Sequence, residues 1–291
     1  PLVTAEVTRE TLTRLREKAF DLVEQNLSTL AGRLTLSDLF QPPPPELLDA
    51  LSKQKQVLPD QARTDLQETP HEPWREFVEV MRLNCQNGRT DPESTYAQPD
   101  MLAQDLHTLR RSLDAVHATR IADAEVDPVI YQFESFGLHL AALDIRQNSG
   151  FNEIALSQIL RAGGAEDWDY ASWDFEKRRA FLDTELASPR PLLPRNATIN
   201  GEAREVLDSF RVIRDHNEAY GPEGIGSVIV SMTRDATDLL AIYLFAREVG
   251  LIRLEPEGLI SDIRVVPLFE TVEDLLKSDD ILRKFLNTPI A

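Results

Sequence analysis

An arginine and a glutamate, each closing a short apolar run, are the side chains in this sequence best suited to chemistry. Arg146 stands near the end of FGLHLAALDIRQ (136–147), and Glu270 closes RVVPLFE (264–270). A third apolar run, GSVIVSM (226–232), lies between them. A guanidinium offers a planar fork that bonds phosphate oxygens bidentately. A single glutamate can serve as a protein ligand for Mg²⁺, which takes one or two carboxylates and fills its other positions with water and substrate. Together the two would suit a phosphorylated acid. A local role is also open: a strand-end pair of Asp144 with Arg146, or Glu270 as a helix cap, would be structural only.

Alternation along a strand sorts the first run into two faces. Leu138, Leu140, Ala142, Asp144 and Arg146 share one, and His139, Ala141, Leu143 and Ile145 the other. By the same count Val266, Leu268 and Glu270 share a face of the last run, so Arg146 and Glu270 can converge on one pocket. Parallel barrels gather their chemistry where strands leave the sheet for the loops.

The elements that must position these groups are strands over Phe136 to Ile145, Ser227 to Met232 and Val265 to Phe269, each followed by a helical pattern. Ser149 is expected to cap a helix through Leu160 that Gly163-Gly164 ends, and Asp174 to cap one from Phe175 to Ala187. Further helices are expected over Glu202 to His216, Asp235 to Val249 and Val272 to Phe285. Ser188 to Pro194 carries three prolines and must be irregular. Upstream, Thr11 to Leu34 forms an amphipathic helix with Gly32 as its C-cap. The prolines 42–45 form a rigid connector, and Pro73 opens a helix towards Cys85. Asn87 to Pro99 reads as an exposed loop, and Asp100 caps the next helix, with a stripe of Leu102, Leu106, Leu109, Leu113 and Val116. The expected fold is mostly α with a partial parallel β barrel, a TIM-barrel-like α/β arrangement. Residues 1–131 form a helical region, and 132–291 form part of the barrel with its covering helices. Three strands cannot close a barrel alone. The chain begins with Pro1 and is read as an internal piece of a larger helical enzyme.

The 291 residues are 42% hydrophobic and carry a formal net charge of −18. That is ample for a sizeable core. No basic stripe stands out, which argues against nucleic acid as a partner. An anionic metabolite can bind only where arginines and a metal reverse the local sign. Cys85 is the only cysteine, so no internal disulfide forms, as in a reducing cytoplasm. The longest apolar stretch, Leu239 to Ala246, is too short to cross a bilayer. P-loop, HExxH, GxSxG and GxGxxG patterns are absent. His107 and His117 read as surface or boundary residues, His139 as a strand histidine packed against a helix, and Trp168 and Trp173 as residues of packing or an interdomain contact.

At these residues the sequence resembles the phosphoenolpyruvate carboxylase family in its bacterial form. The matching text is FGLHLAALDIRQNS (136–149), RPLLPRN (190–196), AREVLDSFRVI (203–213), VIVSMTRDATDLLAIYL (228–244) and VVPLFETVEDL (265–275). PLVTAEVTRETL (1–12) is similar to the text that follows the family's GGDRDGNP motif. The resemblance implies a lyase that carboxylates phosphoenolpyruvate with bicarbonate to oxaloacetate and phosphate. It further implies Mg²⁺ or Mn²⁺, a cytoplasmic homotetramer and allosteric control. It assigns Arg146 to the substrate phosphate, Glu270 to the metal, and Leu268 to the apolar pocket for CO₂ and the substrate methylene. TAHPTE, YSDSxKD and FHGRGGSxGRGG segments, which carry the family's remaining machinery, do not occur in this sequence. The chain alone is therefore expected to be inactive. Two other readings stay open: another metal-dependent barrel enzyme handling phosphoenolpyruvate or pyruvate, or a non-catalytic helical scaffold.

Overall fold

Apolar residues three and four apart run through the first half of the chain and fold it into helices. The computed structural model describes residues 4–66, 70–194, 196–255 and 258–288. The chain divides into two units: Leu12–Ala141 with Ala219–Gly224, and Ala142–Glu218 with Ile225–Ala291 and Pro1–Thr11. The first residues of the 1–12 match, and Arg195 within the 190–196 match, lie outside the described residues.

The helical unit is built from α1 (Ala5–Arg33), α2 (Pro45–Val57), α3 (Asp60–Asp65), α4 (Pro73–Thr90), α5 (Pro99–Ala115), α6 (Thr119–Ile121), a π-helical turn at Ala122–Val126, and α7 (Asp127–Phe136). Proline stands at the start of α2, α4 and α5, where its missing N–H costs nothing. Phe20, Leu27, Leu30, Trp74, Phe77, Leu106 and Leu109 meet in one core. The Trp74 indole N–H is satisfied there by Ser112 Oγ at 3.0 Å. Cys85 is buried, and desolvation raises its thiol pKa, so it is an inert filler.

Several local expectations are corrected. Gly32 lies inside α1, which ends at Arg33. Asp100 does not cap α5; Gln98 occupies that position and Pro99 opens the helix. Asn87 to Pro99 is an exposed loop only in part: Asp91 to Glu93 are exposed turn residues, but both ends depart from the expectation. α4 continues to Thr90, and Tyr96 and Ala97 are buried. The cause is a close backbone approach at Gly88, where a Cβ would lie 2.5 Å from the Tyr96 carbonyl oxygen. Arg16 clamps the fold-back by donating to the carbonyls of Gly88 (3.0 Å) and Ala97 (2.9 Å). Its guanidinium lies over the Phe20 and Tyr220 rings, and burial lowers its pKa to about 10.

The largest correction concerns 136–145. α7 runs to Phe136, and the chain then turns through Gly137 (φ 52°) and Leu140 (φ 63°). Gly137 adopts a conformation that essentially only glycine reaches. Leu138 is buried in the helical core, and the half-buried His139 ring packs against Gly137 with its pKa lowered by burial. Leu138, Leu140 and Ala142 therefore share no strand face with Arg146.

The second unit contains β1 (Leu143–Asn148), α8 (Ser149–Ala162), α9 (Phe175–Leu186), α10 (Gly201–Tyr220), β2 (Ile225–Ser231), α11 (Ala236–Val249), β3 (Ile252–Glu255), β4 (Gly258–Ser261), β5 (Arg264–Leu268) and α12 (Val272–Leu286). β1, β2 and β5 form a parallel sheet in that order, while β3 and β4 pair antiparallel as a separate ribbon. The chain is thus mostly helical with one small parallel sheet, which among the described residues does not close into a barrel. α11 is buried almost all round and packs on α8, α9, α12 and β5. Trp173 packs against Tyr170 and Phe181 at 5.4 Å each, whereas Trp168 is half-exposed beneath the Arg161 guanidinium. No helix among the described residues is long and apolar enough to cross a membrane.

Asp105 supplies a stability test for the helical unit. Its buried carboxylate accepts from the Tyr96 hydroxyl, and desolvation raises its pKa to about 6. Between about pH 4 and pH 6 the folded chain holds a proton that the unfolded chain releases, so this group's contribution falls as pH rises and is fully present only below the unfolded pKa. Urea unfolding should show wild type losing up to about 3 kcal/mol relative to Asp105→Asn across that window. A constant difference between the two proteins would contradict it.

Candidate active site

Register decides which side chains of the parallel sheet share a surface. Ile145, Val228 and Val265 form one row, and Gln147, Val230 and Pro267 the next, on the face that is largely buried. Arg146, Ile229 and Val266 form a row on the opposite face, followed by Asn148, Ser231 and Leu268. Arg146 and Val266 on that face are exposed. Arg146 and Glu270 therefore lie toward the carboxyl ends of two parallel strands, with β2 between them.

Arg146 Nη2 donates to Glu270 Oε1. The second carboxylate oxygen, Oε2, accepts from the backbone N–H of Met232 at 3.3 Å. One side chain from each outer strand and one amide from the central strand thus meet at a single carboxylate. Glu270 is not a helix cap. Thr271 caps α12, in a reciprocal capping box with Asp274 at 3.1 Å in both directions. That box fixes the backbone directly after Glu270. Asp144 does not pair with Arg146 either; Ser227 N–H donates to its Oδ1 at 2.8 Å, beside a shift in register between Leu143 and Ile145. Gly226 makes room for this contact, since a Cβ there would run into the same carboxylate oxygen.

An open cavity of about 760 Å³ sits over these groups, lined by Arg146, Asn148, Phe151, Ile154, Met232 and Glu270 among others. The first turn of α8 contributes Gly150 and Phe151 to its wall, so the positive end of a helix dipole adds to the Arg146 charge. Ile154 and Met232 add exposed apolar surface. Leu268 ends β5 opposite Ser231, half-buried and just outside the cavity lining. Among the described residues no group of three His, Cys, Asp or Glu converges on one point. Glu270 offers one carboxylate, a donor set that fits a cation keeping water and substrate oxygens in its other positions.

The β2 exit is tied down by charge. Arg234 pairs with Glu153 on α8 at 2.6 Å and with the buried Asp238 on α11 at 2.8 Å, and Glu153 also pairs with Arg178. Spacing alone identified the two charged side chains and missed the Met232 amide, because a backbone donor leaves no mark in residue type. It also assigned Ser149 to the α8 cap. Asn148 holds that position, its side chain accepting from Phe151 N at 3.2 Å, and the Ser149 hydroxyl instead donates to the Met232 carbonyl at 2.7 Å.

The chain is a mostly helical protein in which a guanidinium, a carboxylate and a helix N-terminus gather where the strands of one small parallel sheet end. The chain belongs to the phosphoenolpyruvate carboxylase family, whose model matches residues 1–291. It is 33% identical to a phosphoenolpyruvate carboxylase of Roseiflexus castenholzii over 100% of this chain and 32% of that protein. It is 35% identical to one of Rhodothermus marinus, again over 100% of this chain and 32% of that protein. A Pectobacterium carotovorum counterpart is 34% identical over 99% of this chain and 30% of its own length. The chain thus spans about a third of the length of the curated relatives it matches.

The pair between Arg146 and Glu270 is half-exposed, with side-chain exposures of 52% and 32%. Solvent screening limits such a pair to less than about 1 kcal/mol. Urea denaturation of Arg146→Ala should therefore show a change no larger than that. A loss of several kcal/mol would mark the pair as a structural tie.

Proposed function

We propose that this segment supplies the phosphate grip and one metal carboxylate of a carboxylase that joins phosphoenolpyruvate and bicarbonate to give oxaloacetate and inorganic phosphate. The observation that carries the reading is the meeting of Arg146 and Glu270 at one cavity across β2. The phosphoryl group leaves the enol oxygen for bicarbonate, producing an enolate and carboxyphosphate. Carboxyphosphate breaks down to CO₂ and phosphate, and the enolate carbon attacks CO₂. Arg146 holds the phosphoryl oxygens through that transfer, keeping donor and acceptor aligned. Leu268, one row beyond Arg146 on the same face, helps keep water from the enolate carbon, which water would protonate. Glu270 holds a divalent cation, Mg²⁺ or Mn²⁺, which when bound supplies positive charge for the oxygen that becomes anionic.

The same reading takes the three parallel strands as part of a TIM-type barrel, with the Arg146 face turned to its interior. Family membership supports a cytoplasmic, allosterically controlled homotetramer acting in carbon dioxide fixation and the supply of the tricarboxylic acid cycle. The buried free Cys85 and the lack of a membrane-crossing helix among the described residues fit that setting.

Two outcomes test the proposal. The purified 291-residue chain should form no oxaloacetate in an assay coupled to its reduction, and should bind Mg²⁺ only weakly by calorimetry. In a full-length carboxylase carrying this segment, Arg146→Ala should lower kcat/KM for phosphoenolpyruvate by about a hundredfold, the loss of charge-assisted bonds to phosphate. Unchanged turnover would favour a scaffold whose strand-end charges are only structural.

A further inference from the structure

Glu270 is held by two donors of different kind. The Arg146 guanidinium on Oε1 is a side chain that a phosphate can take away, whereas the Met232 N–H on Oε2 is backbone, held in place by the turn that carries it. What keeps that amide aimed at the carboxylate is therefore decisive.

Met232 has φ 57°, in the left-handed region that a non-glycine residue enters at a cost. Such a conformation persists only where its surroundings over-determine it. Two bonds do so here. Thr233, fully buried, closes the turn by donating from Oγ1 to the Val230 carbonyl at 2.7 Å. Ser149 donates from Oγ to the Met232 carbonyl at 2.7 Å, and at 2% exposure it does so away from competing water. Since Asn148 caps α8, the Ser149 hydroxyl is not needed for the helix. The bonds form a closed circuit through three strand exits: Arg146 to Glu270, Glu270 to the Met232 amide, and the Met232 carbonyl back to Ser149, three residues beyond Arg146.

We propose that Ser149 is a positioning residue for Glu270. It holds the Met232 backbone in its left-handed turn, so that the Met232 N–H pins one carboxylate oxygen and leaves the other to pass from Arg146 to a divalent cation. Without the hydroxyl, Met232 relaxes to negative φ and its N–H swings off Glu270. The inference rests on the proposed role of Glu270 as a cation ligand.

The experiment uses a full-length carboxylase carrying this segment and measures Mn²⁺ binding directly, by the electron paramagnetic resonance of free Mn²⁺ without substrates. Ser149→Ala should weaken Mn²⁺ binding roughly tenfold, the usual effect of removing a group that orients a ligand. Ser149→Thr, which keeps the hydroxyl, should bind as wild type. In turnover, the Mn²⁺ activation constant should rise more than the phosphoenolpyruvate KM, with an unchanged thermal midpoint. Unchanged Mn²⁺ affinity in Ser149→Ala, with binding lost in Glu270→Gln, would overturn the positioning role and leave the Glu270 reading standing. Unchanged affinity in Glu270→Gln would overturn both. Equal losses in the Ala and Thr variants would overturn the inference in favour of simple packing.

Discussion

A carboxylate shared by three strand ends organises this part of the molecule. Glu270 stands just past β5, takes a guanidinium from β1 and an amide from the end of β2, and so reports on the register of the whole sheet. A slip of one residue in β1 or β5 would send Arg146 or Leu268 to the covered face, since alternation has a period of two. Parallel pairing brings all three carboxyl ends to one side, and the helices that follow start there. The first turn of α8 and the capping box of α12 then serve two purposes: each begins a helix, and each fixes the residue directly before it.

The surrounding packing keeps that geometry from drifting. α11 is enclosed on nearly every side, and a left-handed Gly250 ends it, with the Leu251 N–H returning to the Ala246 carbonyl at 2.9 Å. The charged cluster of Glu153, Arg178, Arg234 and Asp238 joins α8, α9 and the exit of β2. Leaving one of its buried members without a partner would cost far more than the paired cluster contributes, which favours a single arrangement. Rigidity around the cavity thus comes from helices and buried charge, while the site's own ion pair is solvated and exchangeable.

Much of this was legible in residue types and spacing. Asp174 caps α9 as its place before the helical pattern predicts, its side chain accepting from Lys177 N at 2.9 Å. The inward stripe of α10, with Val206, Leu207, Phe210 and Ile213, is buried as periodicity required. Arg146 and Glu270 were expected at a common opening and meet there. The failures have identifiable physical causes. The run 136–142 reads as a buried strand because apolar runs of that length carry no period that separates strand from helix end, and the positive-φ turns at Gly137 and Leu140 break it. The segment Asn87 to Pro99 looks wholly exposed because the bonds that clamp its fold-back, to the carbonyls of Gly88 and Ala97, come from Arg16, more than seventy residues away. β3 and β4, at four residues each, were too short for alternation to stand out. The Met232 amide was invisible for a deeper reason, since every residue but proline carries one.

The β3–β4 ribbon lies between α11 and β5, and its base is closed by the Asp262 N–H donating to the Leu251 carbonyl at 2.9 Å. β5 then resumes in register, with Arg264 opposite Ser227. Because the bond between Asp262 and Leu251 closes the ribbon's base, its length is not set by the pairing of the parallel sheet. A change in the ribbon's length would therefore leave β5, and Glu270 just beyond it, at the same station in the sheet.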